Sequence, residues 1–403
     1  MTSVDAPDIM SAEYMADPYP FCARLVESYP LLWNEALQAY VVSRFTDVSR
    51  VLKDPVFTTK PYDQWAAGIH GRTIVNMEGR EHSTHRAIVM PALRGKDLQS
   101  QVVPIIERIA ADLIADFRDQ GQADLVADFT ARYPITVVRQ LLGLPDSAQR
   151  KFVRWYKSII AFFYNLAGDP AVIEDGMRTK AEIEDYIVPL AHERRANPRD
   201  DLLTVLSTAE VDGVRMTDAE VKAFVSLLIV GGGETTDNSM GSMLRYLISH
   251  PDQLAAVRAD RSLIAKAFAE TLRMAPPVQV VPRYASEDVE LSGGIVPAGS
   301  QVFTMLNAAN RDPSRWRDPQ TFNIFREDLN HTKGFAATGE VVSFGLGRHF
   351  CIGSILARHE VEIGTNLLLD AMDDIRFTDG VPPSEVGMFA RGPESLKVSF
   401  TPR

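Results

Sequence analysis

A single cysteine lies in a glycine-rich stretch where its sulfur could do chemistry. Cys351 stands in the segment Phe344–Gly353 together with three glycines. Apolar residues recur at helical spacing from Ile352 onward, in a stripe of Ile352, Leu356, Ile363 and Leu367 with Ile355 beside it. This pattern predicts that Cys351 lies at the N-terminus of a helix. Unpaired N–H groups and the helix dipole favour an anionic sulfur there, which lowers the thiol pKa below its ordinary value of about 8.5. Glycines would also let a large flat ligand approach the backbone.

The residues alone leave other roles open for this cysteine. Free cysteine packs like a small hydrophobic residue, so Cys351 could be an ordinary buried thiol. A structural zinc site is disfavoured, because zinc takes about four ligands and no second cysteine is near. The pattern is therefore compatible with a metal-binding thiolate and with a buried thiol.

A second candidate for chemistry lies inside a long predicted helix. The helix begins at the capping box Thr217–Glu220 and ends before Pro251. Its interior contains the successive glycines Gly231–Gly233, and each glycine costs about 1 kcal/mol relative to alanine. Close packing between helices would explain the glycines. Glu234 and Thr235 follow directly, and an acid beside an alcohol could instead form a proton relay.

Two pairs of charged residues have spacings that place them on one face of a helix. His82 and Arg86 are four residues apart and could bind carboxylates, although a solvated helix face would have the same pattern. Glu270 and Arg273 are three residues apart and could form an ion pair.

The elements that must position these residues are mostly helical. A strand or hairpin is predicted over residues 31–42, a helix over 45–53, and a long irregular loop over 58–76. Residues 278–305 have β character. Further helices are predicted over 102–117, 129–142, 149–163 and 172–195. The chain has no linker or repeat, so we expect one domain over residues 1–403, mainly α with a small β region.

Composition limits the possible partners. The net charge of −11 and the pI near 5.3 argue against binding to nucleic acid or anionic membranes. The two cysteines are too few for a disulfide framework, which is typical of a reducing compartment. The sequence has neither a signal peptide nor a long uncharged apolar run, so we expect a cytoplasmic protein without a membrane anchor.

Six positions around the cysteine match a known signature. The segment resembles the haem-ligand motif FGxGxHxCxG of the cytochrome P-450 family, through Phe344, Gly345, Gly347, His349, Cys351 and Gly353. The glycine, acid and alcohol run in the long helix is similar to the family's [AG]GxETT motif. The two charged pairs resemble its HxxxR and ExxR motifs. The four motifs occur in the family's order, and the resemblance covers nearly the whole chain.

The resemblance assigns roles around haem b (iron protoporphyrin IX). The Cys351 thiolate would be the fifth ligand of the iron. The other residues expected to hold the haem are His82, Arg86, Arg283, His349, Phe344, Gly345 and Gly232. The first four of these would contact the haem propionates.

The resemblance also assigns catalytic, structural and substrate-binding residues. Thr235 would hold water at the oxygen site, and Glu234 would supply protons from solvent. A buried charge triad that holds the cysteine loop would consist of Glu270, Arg273 and Arg326. The residues expected to contact substrate are Trp65, Ile69, Val278, Val281 and Phe389.

The implied function is that of a soluble bacterial monooxygenase with the cytochrome P-450 fold. It would insert one atom of O₂ into an apolar terpenoid, steroid, fatty acid or macrolide, using two electrons from a ferredoxin or flavodoxin. The segment Gly334–Glu340 is interpreted as an insertion that could reshape the surface where the electron donor docks. A peroxide-driven or isomerising enzyme would not need the Glu234–Thr235 relay. A haem carrier or sensor should lack both the relay and an apolar pocket.

Overall fold

The computed structural model describes residues 6–94, 98–165 and 167–403. The first helices along the chain are α1 Ala12–Ala16, α2 Tyr19–Ser28, α3 Phe45–Lys53, α4 Pro61–Trp65, α5 Gly79–Val89, α6 Val103–Ala115, α7 Tyr133–Leu141 and α8 Gln149–Phe163. The remaining ones are α9 Pro170–Ala196, α10 Leu202–Thr208, α11 Asp218–Ser249, α12 Pro251–Ala259, α13 Leu263–Met274, α14 Leu306–Ala309, α15 His331–Gly334 and α16 Ser354–Ala371.

The strands are short. They are β1 Leu31–Asn34, β2 Ala39–Val42, β3 Phe57–Thr58, β4 Gln122–Asp124, β5 Glu210–Val211, β6 Val214–Arg215 and β7 Val280–Ala285. Then follow β8 Val289–Leu291, β9 Gly294–Val296, β10 Gln301–Met305, β11 Met372–Phe377, β12 Glu385–Val386, β13 Gly392–Pro393 and β14 Lys397–Pro402. The expected fold class, mainly α with a small β region, is confirmed.

The chain divides into two compact units. The first consists of Met1–Thr58, Ala110–Thr130 and Thr235–Arg403, and the second consists of Thr59–Ile109 and Ala131–Glu234. The expectation of a single domain over residues 1–403 stays a prediction.

The first unit is built around a five-stranded sheet with the strand order β1-β2-β10-β7-β3. Strand β10 runs parallel to β2 and antiparallel to β7, so that Thr304 lies opposite both Val42 and Val281. Helix α3 covers this sheet with its buried residues Val48 and Val51, which are three positions apart and therefore share a face. The predicted hairpin, the helix after it and the later β region are thus confirmed.

The second unit is mainly helical. Its helices α8 and α9 correspond to the predicted helices over 149–163 and 172–195, and the chain between them turns at Tyr164. The predicted irregular loop over 58–76 contains one short helix, α4, in which proline occupies the first turn. The loop prediction was therefore incomplete at Pro61–Trp65.

Helix α11 has the start that the sequence predicts. The backbone N–H of Thr217 donates to the Glu220 carboxylate at 2.8 Å, and the N–H of Glu220 donates to the Thr217 hydroxyl at 3.3 Å. This is the reciprocal capping box. The chain passes from the second unit to the first inside this helix, between Glu234 and Thr235.

The buried face of α16 differs from the predicted stripe. Ile363 and Leu367 are only half-buried, whereas Val361 and Leu368 are fully buried. The buried face also contains the polar residue Glu360, which a search for apolar residues alone passes over.

No helix in the described ranges combines the length and the apolar character needed to cross a bilayer.

Candidate functional site

The cysteine loop is shaped by glycines with left-handed backbone. Gly345 and Gly347 both have φ of 68°, a conformation that residues with a Cβ rarely adopt. A Cβ at Gly347 would also lie 3.1 Å from the carbonyl oxygen of Leu52. The loop closes when the N–H of Cys351 donates to the carbonyl of Phe344 at 2.8 Å. Helix α16 starts just after it, with Gly353 at the N-cap, so Cys351 precedes a helix as predicted.

The two cysteines lie in different environments. Cys22 is fully buried in α2, and burial raises the pKa of its thiol to about 12. Cys351 is half-buried, and no disulfide joins the two residues. Since a reactive thiol must be accessible, Cys351 is the candidate ligand and Cys22 is a packing residue.

The predicted charge triad is present. Glu270 is fully buried, and its carboxylate accepts two hydrogen bonds of 2.8 Å from Arg273. Arg326 lies 2.9 Å from the same carboxylate. The N–H of Asn323 donates to it at 3.0 Å. The negative charge is thus balanced by two guanidinium groups.

The triad is linked to the segment that leads into the cysteine loop. Arg273 donates to the carbonyl of Asn310 at 3.2 Å, and the side chain of Asn310 accepts from the N–H of Val342 at 3.0 Å. The Asn310 amide also donates to the hydroxyl of Ser343 at 2.8 Å. These contacts connect α13 to the residues just before Phe344, which supports a role in holding the loop.

Arg283 fits an anionic cofactor group. Its side chain is on strand β7 and is 4% exposed. It donates to the carbonyl of Pro282 at 2.8 Å, and no carboxylate among the described residues pairs with it. Because a buried guanidinium is costly without a counter-ion, a propionate would complete this environment. His349 is half-buried in the short helical turn Gly347–His349, two residues before Cys351.

The predicted substrate contacts Val278, Val281 and Phe389 belong to the first unit, in which residues 278–279 pair with residues 389–390. Val278 forms a bridge with Ala390, and the N–H of Gln279 donates to the carbonyl of Phe389 at 2.8 Å. Val278 and Val281 are half-buried and pack against the core around the sheet.

In the second unit, His82 and Arg86 lie on helix α5, as the HxxxR spacing predicts. His82 is buried and Arg86 is half-buried. His85 has a different role, because its ring bonds the carbonyl of Glu81 at 2.9 Å and the carboxylate of Glu220 at 3.0 Å. Its ring thereby joins α5 to α11.

The three glycines of α11 have different surroundings. A Cβ at Gly232 would lie 2.8 Å from Val138, and one at Gly233 would lie 3.2 Å from the ring of Tyr156. These two glycines therefore allow close packing against α7 and α8. A Cβ at Gly231 would meet nothing within 4 Å. The expected contact of Gly232 with the haem stays a prediction.

Glu234 has a partner that the sequence did not indicate. The hydroxyl of Tyr164 donates to its carboxylate at 2.9 Å. Burial raises the pKa of Glu234 above its ordinary value, and the hydrogen bond from Tyr164 acts in the opposite direction. Thr235, the next residue, is half-buried.

The two remaining substrate candidates lie in the second unit. Trp65 is the last residue of α4 and is half-buried. Ile69 is fully buried, and its Cδ1 lies 3.4 Å from the position that a Cβ would take at Gly176. Ile69 thus packs beside α9, and its contact with substrate stays a prediction.

Two buried polar groups were missed as candidates. Glu360 on α16 is 2% exposed, and burial raises the pKa of its carboxyl well above the ordinary range, against a hydrogen bond from Thr236. The buried His70 ring bonds Ser226 at 2.7 Å, and Lys222 donates to the His70 carbonyl at 3.2 Å. No sequence pattern joins these residues.

Comparisons with known proteins agree with the motifs. The family model described as Cytochrome P-450 matches residues 21–400. Pulcherriminic acid synthase from Bacillus subtilis (strain 168) is 34% identical over 400 residues, which cover 99% of this chain and 98% of that protein.

Solved structures share the fold. CalO2 superposes with a TM-score of 0.89 at 29% identity, covering 99% of this chain and 100% of that chain. CYP109E1 from Bacillus megaterium, in complex with corticosterone, superposes with a TM-score of 0.85 at 26% identity. That match covers 96% of this chain and 99% of that chain.

Proposed function

Because this chain belongs to the cytochrome P-450 family and is a monooxygenase, we propose that it hydroxylates or epoxidises an apolar small molecule. The oxidant would be O₂, and a ferredoxin or flavodoxin would supply two electrons. The observation that carries this proposal is the half-buried Cys351 in a glycine loop closed onto the Phe344 carbonyl.

The resident cofactor is proposed to be haem b, held by Cys351 as the metal ligand. The bound haem would supply the chemistry of O₂ activation and oxygen insertion. Arg283 would bind one propionate, since its buried guanidinium lacks a carboxylate partner among the described residues. His82, Arg86 and His349 would provide the other propionate contacts, and Phe344, Gly345 and Gly232 would border the ring.

Glu234 and Thr235 would deliver the protons that the reaction consumes. Burial raises the pKa of the Glu234 carboxyl above its ordinary value, so it holds a proton more readily than a solvated carboxyl, which suits a general acid. The Thr235 hydroxyl would orient water beside the substrate. The charge triad Glu270, Arg273 and Arg326 would keep the cysteine loop in place through Asn310.

Apolar side chains would bind the substrate. Trp65, Ile69, Val278, Val281 and Phe389 are the proposed contacts. A steroid is one suitable class, because the similar CYP109E1 structure contains corticosterone. Terpenoids, fatty acids and macrolides are the other classes proposed.

An acidic electron donor would suit the surface beside the cysteine loop. Arg348 is exposed in the turn before Cys351, and Lys53 is exposed with its Cα 3.1 Å from the Cβ position of Gly347. Cationic side chains of this kind would steer an acidic ferredoxin or flavodoxin. Glu340 at the end of the Gly334–Glu340 segment pairs with Arg315, so its charge is partly balanced.

A spectral titration with apolar compounds tests this function. Corticosterone, limonene, hexadecenoic acid and a macrolide would be added to the haem-loaded protein, and the best binder would be incubated with NADH, a ferredoxin and its reductase. We expect a shift of the haem absorbance and an oxygenated product that retains one atom of ¹⁸O₂. Product formation with hydrogen peroxide but not with the electron donors would favour the peroxide-driven alternative. A protein that binds haem but oxygenates no compound would contradict the proposal.

A further inference from the structure

Tyr164 joins the end of one helix to the proposed proton carrier. It is the C-cap residue of α8, where its N–H donates to the carbonyl of Ile160 at 3.1 Å. Its side chain is 39% exposed, although its hydroxyl donates to the half-buried carboxylate of Glu234 at 2.9 Å. The side chain of Tyr164 is therefore partly in contact with water, while its hydroxyl contacts a half-buried acid.

Helix geometry separates this contact from the position of Thr235. Successive residues of an α-helix point about 100° apart, because there are about 3.6 residues per turn, so neighbours at i and i+1 do not face each other. A Glu234 carboxylate bonded to Tyr164 is thus directed away from the side on which Thr235 projects. To serve Thr235, the carboxyl group must leave the tyrosine or pass its proton through water.

Helix α8, which ends at Tyr164, packs closely against α11. The Tyr156 ring lies 3.2 Å from the Cβ position of Gly233, which is one residue before Glu234. Tyr156 lies within α8, and Tyr164 is the C-cap residue of the same helix, eight residues later. Helix α8 therefore contacts α11 at two places. A movement of the α8 end would change the environment of Glu234.

We propose that Tyr164 is a positioning residue that holds the Glu234 carboxylate at the solvent side of α11, where it takes up a proton from water. This inference rests on the proposed function. Release of the hydrogen bond lets the protonated carboxyl group turn toward Thr235. The C-terminal end of α8 thereby controls proton supply.

The electrostatic balance of Glu234 supports this assignment. Burial raises the pKa of its carboxyl, and the Tyr164 hydroxyl, which stabilises the charged form, lowers it. Loss of the hydroxyl should therefore raise the pKa of Glu234 further. A tyrosine that served only to pack its ring would leave that pKa unchanged when the hydroxyl alone is removed.

The test compares Tyr164→Phe with two other variants of the haem-loaded protein. Tyr186→Phe is the matched control, because Tyr186 is a half-buried tyrosine on α9 that packs on Trp155. Glu234→Gln identifies the carboxyl band of Glu234 in infrared difference spectra. The same proteins are assayed with NADH, a ferredoxin and its reductase, using the compound from the panel that binds best.

We expect Tyr164→Phe to move the titration of the Glu234 band to higher pH. It should also lower product formed per NADH about threefold to tenfold, which is less than the 10²–10⁴-fold that a general acid itself contributes because the carboxyl group is retained, and raise the solvent isotope effect. Tyr186→Phe should change none of these quantities. The inference is overturned if Tyr164→Phe leaves the band's titration where it is in the unaltered protein, or if no Glu234 band titrates. The infrared measurement needs no substrate, so it distinguishes this failure from a failure of the proposed function.

Discussion

Two carboxylates of this protein, one fully buried and one half-buried, have opposite surroundings. Glu270 contacts two guanidinium groups and a backbone N–H, and its side chain is almost completely excluded from water. Among the described residues, Glu234 has one hydrogen-bond partner, the neutral hydroxyl of Tyr164, and it is half-buried. The first charge is compensated by opposite charges, whereas the second is not.

The difference separates a structural acid from a proposed proton carrier. The charge of a carboxylate held by two guanidinium groups is compensated by its partners, which suits it to hold elements of the fold together. Burial without a neighbouring cation raises the pKa of the Glu234 carboxyl, so this group binds a proton more readily than a solvated acid and suits a proton carrier. The sequence motif around each acid does not reveal this difference in partners, whereas the contacts in the structure do.

The largest effect is expected from Glu270→Ala. Removal of the carboxylate leaves Arg273 and Arg326 as buried, unbalanced charges, which should lower the free energy of unfolding by about 3–5 kcal/mol. Urea denaturation measures this loss. The control is Glu210→Gln, which removes an exposed ion pair with Arg215 and should cost about 1 kcal/mol or less. Equal losses in the two variants would contradict the structural role of the triad.

Glu234→Gln should leave stability nearly unchanged but slow turnover. A general acid contributes about 10²–10⁴-fold to rate, so we expect product formation to fall at least about a hundredfold. This corresponds to about 2.7 kcal/mol in the activation free energy. Steady-state assays with the best-binding compound measure the fall. Turnover within a factor of two of the unaltered protein would remove Glu234 from the relay.

Thr235→Ala should uncouple NADH consumption from product. Without the hydroxyl that orders water, product per NADH should fall about tenfold, or about 1.4 kcal/mol, while NADH oxidation continues and hydrogen peroxide accumulates. Thr235→Ser keeps the hydroxyl and should restore most of the coupling. Unchanged coupling in the alanine variant would contradict the relay.

The smallest effect is expected at Glu360. Burial raises the pKa of its carboxyl in the folded protein, so folding favours the protonated form. Its stabilising contribution is present below the unfolded pKa of about 4.3 and is lost as pH rises through the folded pKa. As the pH rises from 5 to 8, the melting temperature of Glu360→Gln should therefore fall less than that of the unaltered protein. Glu362→Gln, on the same helix, serves as the control. An equal change of melting temperature with pH in Glu360→Gln and in the unaltered protein would refute this account.

Sequence reasoning succeeded where partners are close along the chain. The capping box of α11, the Glu270–Arg273 pair and the Cys351 loop all lie within a few residues, and motif spacing identified them. Resemblance to a family added Arg326, which is distant from Glu270 in sequence.

Sequence reasoning did not find the contacts that depend on packing between elements distant along the chain. The bond from Tyr164 to Glu234 spans 70 residues, and no periodicity indicates it. The close approach at Gly232, where a Cβ would lie 2.8 Å from Val138 of α7, was not indicated by any spacing either. Phe335, in the Gly334–Glu340 segment, is buried and packs on Phe268 with ring centroids 5.2 Å apart, a contact that the sequence did not indicate.

The most direct test of the account is the spectrum of the reduced protein with carbon monoxide. If the Cys351 thiolate binds haem iron, the complex should absorb at the wavelength that gives the cytochrome P-450 family its name. Cys351→His should move the band to the position of histidine-ligated haem, and Cys22→Ser should leave it unchanged. Absence of the characteristic band from the unaltered, haem-loaded protein, or its persistence in Cys351→His, would contradict the account.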